Sequence, residues 1–220
     1  MPNYADINGR PMKKLQIQQY LRKLQLNDFE PAVNLATLTK LQDAHLKYIP
    51  YENFDCLNGK ITSLKRQDMF NKVIMHNRGG ICFELNGLYN WLLESLGFDV
   101  TSYSARFIDK METYQLRRHR VMCVALGDKR YLTDVGVNSE SPRVPLEITE
   151  GLIQSDGISQ YKFTRSEFWG WLLWQKERGK IWKRLFGFTE EPQIDKDFIT
   201  ASFWCDAHPD SPFILSLIHI

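Results

Sequence analysis

No stretch of the sequence is both long and apolar enough to cross a bilayer, so no membrane association is expected. The opening residues, Met1-Pro2-Asn3-Tyr4-Ala5-Asp6, lack the charged start and apolar middle of a secretory leader. Cysteine is sparse. Cys56, Cys82, Cys123 and Cys205 lie far apart, with no C-x-x-C pair for zinc or redox work, which predicts reduced thiols in a cytoplasmic protein and no bound metal. A net charge of only +2 gives no reason to expect nucleic acid as a partner. The one local basic excess, Arg117, Arg118 and Arg120 around His119, reads as a solvated loop or strand end. Internal repeats and low-complexity segments are lacking too. What is present, 43% hydrophobic and 25% charged residues in 220, suffices for a substantial core.

The first hundred residues carry a helical period. Ile17, Tyr20, Leu21 and Leu24 form one apolar stripe, and Leu38, Leu41, His45 and Tyr48 another on a helix from near Thr37 that must end before Pro50. Leu85, Leu88, Tyr89, Leu92, Leu93 and Leu96 mark a third helix closed by Gly97. Beyond Gly97 the period changes. Val100 to Phe107, His119 to Leu126, Arg130 to Val137 and Tyr161 to Phe163 read as strands, with a tight turn at Gly127-Asp128. A helical half followed by a strand half predicts an α+β fold. The Trp-rich run Phe168 to Trp174 reads as core or wall, with no function attached.

The segment Arg78-Gly79-Gly80-Ile81-Cys82-Phe83-Glu84-Leu85-Asn86 holds the chemistry. Two glycines permit a close backbone approach, and Cys82 falls where the third helix begins. A helix N-terminus carries roughly half a positive charge, which favours a thiolate over a thiol whose ordinary pKa is about 8.5. Such a nucleophile needs a base, and the base an orienting partner. Of the five histidines, His45 lies on an apolar helical stripe, His76 precedes the glycine turn, and His208 and His219 are far down the chain. His119 heads a strand. With a two-residue loop at Gly127-Asp128 it lies opposite Gly136, and Asp134 projects from the same face within roughly 7–8 Å, which two side chains can close.

These residues resemble the arylamine N-acetyltransferase family. The marks are Leu41-Gln42-x-Ala44-His45-x-x-x-Ile49-Pro50-Tyr51-Glu52-Asn53, then Arg78-Gly79-Gly80-x-Cys82-Phe83-Glu84-x-Asn86, then His119 and Thr133-Asp134-Val135-Gly136. The resemblance implies a papain-like cysteine-enzyme architecture: a helical domain over residues 1–97 carrying the nucleophile, a β-barrel-like domain over 98–194 carrying His and Asp, and a helix-and-strand remnant of a third domain over 195–220. It implies a Cys82–His119–Asp134 triad, resting as a thiolate–imidazolium pair, that takes acetyl from acetyl-CoA and passes it to an arylamine, arylhydrazine or hydroxylamine. The Cys82 backbone N–H is a candidate oxyanion donor. Arg78 and Glu52 are expected to pair beneath the catalytic turn, with Gly79 and Gly80 as structural support.

Two departures from the family pattern carry expectations. Val137-Asn138 stands where the family has Phe-Gly, so as substrate-binding residues they should widen the acceptor pocket and crowd the donor. The family continues beyond this length into a third domain that covers the cleft, so a shortened protein with weak turnover is expected. Phe213 to Ile220 reads as an unpartnered apolar strand, a route to self-association. A catalytically impaired relic and an acetyl-CoA hydrolase are the rival readings.

Overall fold

The computed structural model describes residues 9–108, 115–137 and 140–218. The helical half comprises α1 (Lys14–Lys23), α2 (Leu35–Tyr48), α3 (Phe54–Leu57), α4 (Arg66–Phe70) running into a π-turn (Asn71–Met75), and α5 (Cys82–Ser95). No helix among the described residues is long and apolar enough to cross a membrane. α2 starts at Leu35, two residues before the start near Thr37 that the hydrophobic period suggests, where the Asn34 side chain caps it by accepting the Thr37 N–H at 2.8 Å. α3, α4 and the π-turn are too short to show a period, and sequence patterning missed them.

α5 is buried on every side from Cys82 through Leu93, not only along its leucine stripe. A helix dry all round belongs in the middle of a core, and its polar members are each bonded. Asn90 donates to Glu94 at 2.7 Å and accepts from Ser102 at 3.3 Å. Leu88, Leu92 and Leu93 are fully buried, and each truncation to alanine there costs about 2–5 kcal/mol. Gly97, at φ +90°, ends the run as expected, with the Phe98 N–H returning to the Leu93 carbonyl.

The strand half is one eight-stranded antiparallel sheet in the order β4-β3-β2-β1-β8-β7-β6-β5. Its strands are β1 (Asp99–Phe107), β2 (His119–Leu126), β3 (Lys129–Thr133), β4 (Leu146–Glu147), β5 (Gln154–Ser155), β6 (Ser159–Ser166), β7 (Gly170–Glu177) and β8 (Lys183–Gln193). The β2–β3 hairpin has the expected register, Leu126 opposite Lys129 and Met122 opposite Thr133. The Trp-rich run turns at Gly170 into β7, where Trp171 and Leu173 join the barrel core. The sheet curls until its two edges nearly meet. The Gln154 amide on β5 accepts the Glu147 N–H at 2.7 Å and donates to the Glu147 carbonyl at 2.9 Å, and Glu150 bridges Phe163 on β6. That removes most of an otherwise open edge.

β2 serves both cores by its two-residue alternation. Met122 and Val124 pack into the helical cluster, Val121 and Cys123 into the barrel cluster. After β8 a 3₁₀ turn (Asp195–Phe198), α6 (Ile199–Ala207) and α7 (Pro212–Leu215) lead back to the helical half. This corrects the strand expected from Phe213 onward. Pro212 pre-sets a helical φ and Ser211 caps the turn by accepting the Phe213 N–H at 3.3 Å, so the segment coils. Asn53 then fixes it, donating to the Phe213 and Ser216 carbonyls, both at 2.8 Å, and accepting the Ile218 N–H at 2.7 Å.

Candidate active site

The turn before α5 is pressed against the strip Pro50–Glu52. Tyr51 bridges Gly80 in parallel and the Glu52 N–H donates to the Gly80 carbonyl at 3.1 Å. A Cβ on Gly79 would stand 2.0 Å from the Pro50 carbonyl oxygen, so only glycine fits there. Charge fills the space below. Arg78 reaches Glu52 at 2.9 Å and Asp55 at 3.3 Å, while Lys72 reaches Asp55 and Glu84, each at 2.8 Å. Glu84 also accepts the Ile81 N–H at 3.0 Å, capping the helix that Cys82 begins. Burial raises its carboxyl pKa to about 7 in spite of Lys72.

Cys82 is 2% exposed. Burial pushes its thiol well above the ordinary value, the positive helix end notwithstanding. The thiolate favoured by position alone is therefore opposed by desolvation in this enclosed geometry. The Cys82 thiol donates to the Arg118 carbonyl at 3.8 Å, beside His119 in the chain.

His119 is fully buried, with its ring against Phe107 and Phe186. Its Nε2 is 2.7 Å from Asp134 Oδ2, and its Nδ1 is buried without a hydrogen-bond partner among the described residues. Asp134 Oδ1 accepts the Asn86 amide and the Gly136 N–H, both at 2.8 Å. β3 stops at Thr133, where sequence patterning carries it to Val137. Side chains take over the ladder's donors: Asn86 Oδ1 accepts the Val135 N–H at 2.9 Å, Asp134 the Gly136 N–H, and Ser141 the Val137 N–H at 2.8 Å. The released chain folds onto Cys82. A Cβ on Gly136 would lie 2.9 Å from Cys82 Cα.

The N-acetyltransferase family model matches residues 34–219. The chain belongs to the arylamine N-acetyltransferase family. An arylamine N-acetyltransferase of Mycolicibacterium smegmatis is 35% identical over 204 residues, covering 90% of this chain and 73% of the relative. One from Escherichia coli K12 is 31% identical over 183 residues, 83% of this chain but 64% of the relative. The solved structure of the Mycobacterium marinum arylamine N-acetyltransferase in complex with CoA superposes with a TM-score of 0.83 at 27% identity, covering 92% of this chain and 76% of that one. The family's fold is thus present here, and CoA is a ligand of a structural neighbour.

Against that background the remaining candidate residues divide. Val137 is 3% exposed and packs inside the barrel cluster. Asn138 lies outside the described residues. The arginines flanking His119 are not one solvated patch. Arg117 makes a long pair with Glu191 at 3.6 Å, and Arg118 donates to Gln115 at 3.0 Å. Arg120 corrects the expectation outright: only 2% exposed, it donates to Ser102 at 3.1 Å, pairs with Asp195 at 2.9 Å and lies over the Phe198 ring. Strand alternation explains it, because Arg120 shares the helix-facing side of β2 with Met122 and Val124.

The residue whose part sequence reasoning missed is Asn86. It is fully buried, donates to the Arg120 carbonyl at 2.6 Å as well as to Asp134, and accepts from Val135. One side chain on α5 thereby binds β2, the carboxylate and the chain beyond β3. An Asn four residues after Cys82 lies one helical turn along the same face, and that spacing was the available signal.

Proposed function

We propose that this chain is an acyltransferase that takes acetyl from acetyl-CoA onto Cys82 and passes it to an arylamine, arylhydrazine or hydroxylamine. The observation that carries the proposal is the His119 ring, committed at Nε2 to Asp134 and left with a buried Nδ1 that has no hydrogen-bond partner among the described residues, while Cys82 bonds the Arg118 carbonyl next to it in the chain and lies against Gly136. With Nε2–H given to the carboxylate, Nδ1 keeps its lone pair and is the base. Because burial disfavours an isolated thiolate, the sulfur ionises only as its proton passes to Nδ1, which makes proton transfer and attack one event.

The sulfur then bonds to the thioester carbonyl carbon, the carbon–sulfur bond to CoA breaks, and the CoA thiolate takes the proton back from the imidazolium. In the second half the acceptor amine attacks acetyl-Cys82, His119 accepts its proton, and the Cys82 sulfur leaves. Two moderate steps replace one hard aminolysis. Asp134, held by Asn86 and Gly136, keeps the ring from rotating and stabilises its charged form.

Brief exposure to p-nitrophenyl acetate or acetyl-CoA, followed by intact-mass and peptide analysis, tests the proposal. Acetyl is expected on Cys82 from both donors and discharged by an added arylamine. Acetylation elsewhere, or undiminished labelling of Cys82→Ala, overturns it. Donor loss equally fast without an arylamine would establish hydrolysis instead.

A further inference from the structure

The helical half carries a second concave site that acyl transfer leaves unused. A cavity of about 650 Å³ lies between the loop leading into α4, Trp91 of α5 and the first turns of α6. None of Cys82, His119 and Asp134 lines it. A hollow of this size, mainly apolar with a few polar groups, has the make-up of a small-molecule site.

Its walls are tied in place. Trp91 donates its indole N–H to the Arg10 carbonyl at 2.9 Å, and Thr62 gives its N–H and its hydroxyl to Asp206 at 2.8 and 2.7 Å. Ile199, Ser202 and Phe203 share one face of α6 by their spacing of three and four residues. Ile199 and Phe203 remain 54% and 55% exposed, and Ile61 on the loop 49%. Apolar surface gathered around a hollow, unlike single apolar residues scattered over a surface, marks a place where something binds.

Two polar side chains in the lining lack a full set of partners among the described residues. Arg66 donates through Nη2 to Glu94 at 2.6 Å and through Nε to Asp195 at 2.8 Å, but its Nη1 is buried with no acceptor. The Ser202 hydroxyl, on a residue 2% exposed, is likewise unbonded. A buried donor without an acceptor costs stability, and a ligand oxygen removes that cost. Charge favours an anion. Arg10, Lys65, Arg66 and Lys196 line the cavity against one carboxylate, Asp195, which already pairs with both Arg66 and Arg120.

We infer that this cavity binds a small apolar carboxylate, with its acid group toward Arg66 and Ser202 and its hydrocarbon against Trp91 and Phe203. Neither donor meets water in this structure, so the ligand's oxygens reach them as the two side chains turn toward the cavity. Binding here is independent of Cys82 and its chemistry.

The experiment titrates the full chain with 2-naphthylacetate by calorimetry, and with 2-naphthylethanol as its uncharged counterpart. Saturable binding of the acid below millimolar concentration is expected, with the alcohol at least roughly tenfold weaker. Ile199→Trp, which fills the exposed mouth, should abolish binding at an unchanged melting temperature. Ser202→Ala should weaken the acid roughly tenfold without lowering the melting temperature, because it removes a hydroxyl that nothing in the fold uses. If Ile199→Trp does not melt cooperatively, Lys196→Glu at the exposed rim decides: the acid should bind more weakly and the alcohol as before. Absence of saturable binding overturns the inference, as does equal affinity for acid and alcohol. Full affinity in Ser202→Ala, or an acid affinity unmoved by Lys196→Glu, overturns it too. Acetylation of Cys82 by p-nitrophenyl acetate should proceed unchanged with the acid bound. Protection of Cys82 that persists in Ile199→Trp would put the acid at the triad and sink the second site.

Discussion

The two surfaces that close on the head of α5 are built from different materials. Below, the turn rests on charge: Glu52, Asp55 and Glu84 against Arg78 and Lys72, with Arg78 still 37% exposed. Above, the strand side is dry and uses directed hydrogen bonds, with His119 and Asn86 fully buried and Asp134 nearly so. Charge networks tolerate small displacements, because Coulomb energy falls slowly with distance. Hydrogen bonds do not, weakening steeply once bent or stretched. The contrast separates two tasks: the lower side holds the turn in place, and the upper side, in the proposed mechanism, sets the angle at which a proton leaves the sulfur.

The strongest way to break that contrast is Asp134→Asn. The substituted amide keeps the shape but can present an N–H to His119 Nε2, reversing the tautomer and placing a proton on Nδ1, where the base is needed. Single-turnover acetylation from p-nitrophenyl acetate should fall by about 10³- to 10⁴-fold with little change in melting temperature. A fall below tenfold would show that Asp134 does not orient the ring.

Asn86→Ala attacks the same side indirectly. It strips hydrogen bonds from Asp134, the Arg120 carbonyl and the Val135 N–H, so a stability loss of about 2–4 kcal/mol is expected from stranded buried groups. Displacement of the carboxylate by even part of an ångström should cost another 10- to 100-fold in acetylation rate. The double variant with Asp134→Asn should be little slower than Asp134→Asn alone, because the two act as one unit. Additive losses would place Asn86 outside that unit.

On the charged side, Glu84 should make its presence felt through pH. Its folded-state pKa, about 7, lies above the ordinary 4.5. Between these values the folded chain binds more protons than the unfolded one, so the stability this group contributes is present below pH 4.5 and lost as pH rises through 7. Glu84→Gln removes the dependence. Relative to the unsubstituted chain its stability should climb by up to about 3 kcal/mol between pH 5 and 8, several degrees in melting temperature. A constant offset across that range would show that Lys72 keeps Glu84 ionised.

The sequence disclosed these two sides unequally. α5 and the β2–β3 hairpin declared themselves because each buries a periodic face, and the Gly127-Asp128 turn fixed the register that brings Asp134 to His119. The Gly-Gly-x-Cys spacing likewise pointed to a close approach, since only a missing side chain allows one. What escaped notice depends on pairings that no local pattern records. Arg120 looks like surface charge until Asp195, far along the chain, is folded against it. The early end of β3 follows from Asn86 intercepting a backbone donor, and the coiled tail from Asn53 clasping its carbonyls. The two influences on the Cys82 thiol were likewise unequally visible: a helix end announces its charge in the sequence, whereas the burial that opposes it appears only when the chain closes.

The smallest expected effect concerns the Arg78–Glu52 pair, where the lower side meets solvent. Glu52 is 2% exposed and also accepts the Phe54 N–H at 2.8 Å, so its carboxylate is fixed whether or not the arginine is present. Arg78 has Asp55 as a second partner at 3.3 Å, and its exposed side is screened by water. A double-mutant cycle with Arg78→Met and Glu52→Gln should therefore give a stability coupling of about 1 kcal/mol, reduced further in high salt. The same cycle measured on acetylation should give almost none, since the pair holds the turn without touching the proton path. A rate coupling as large as the one expected between Asn86 and Asp134 would mean that charge below and hydrogen bonds above aim the sulfur together.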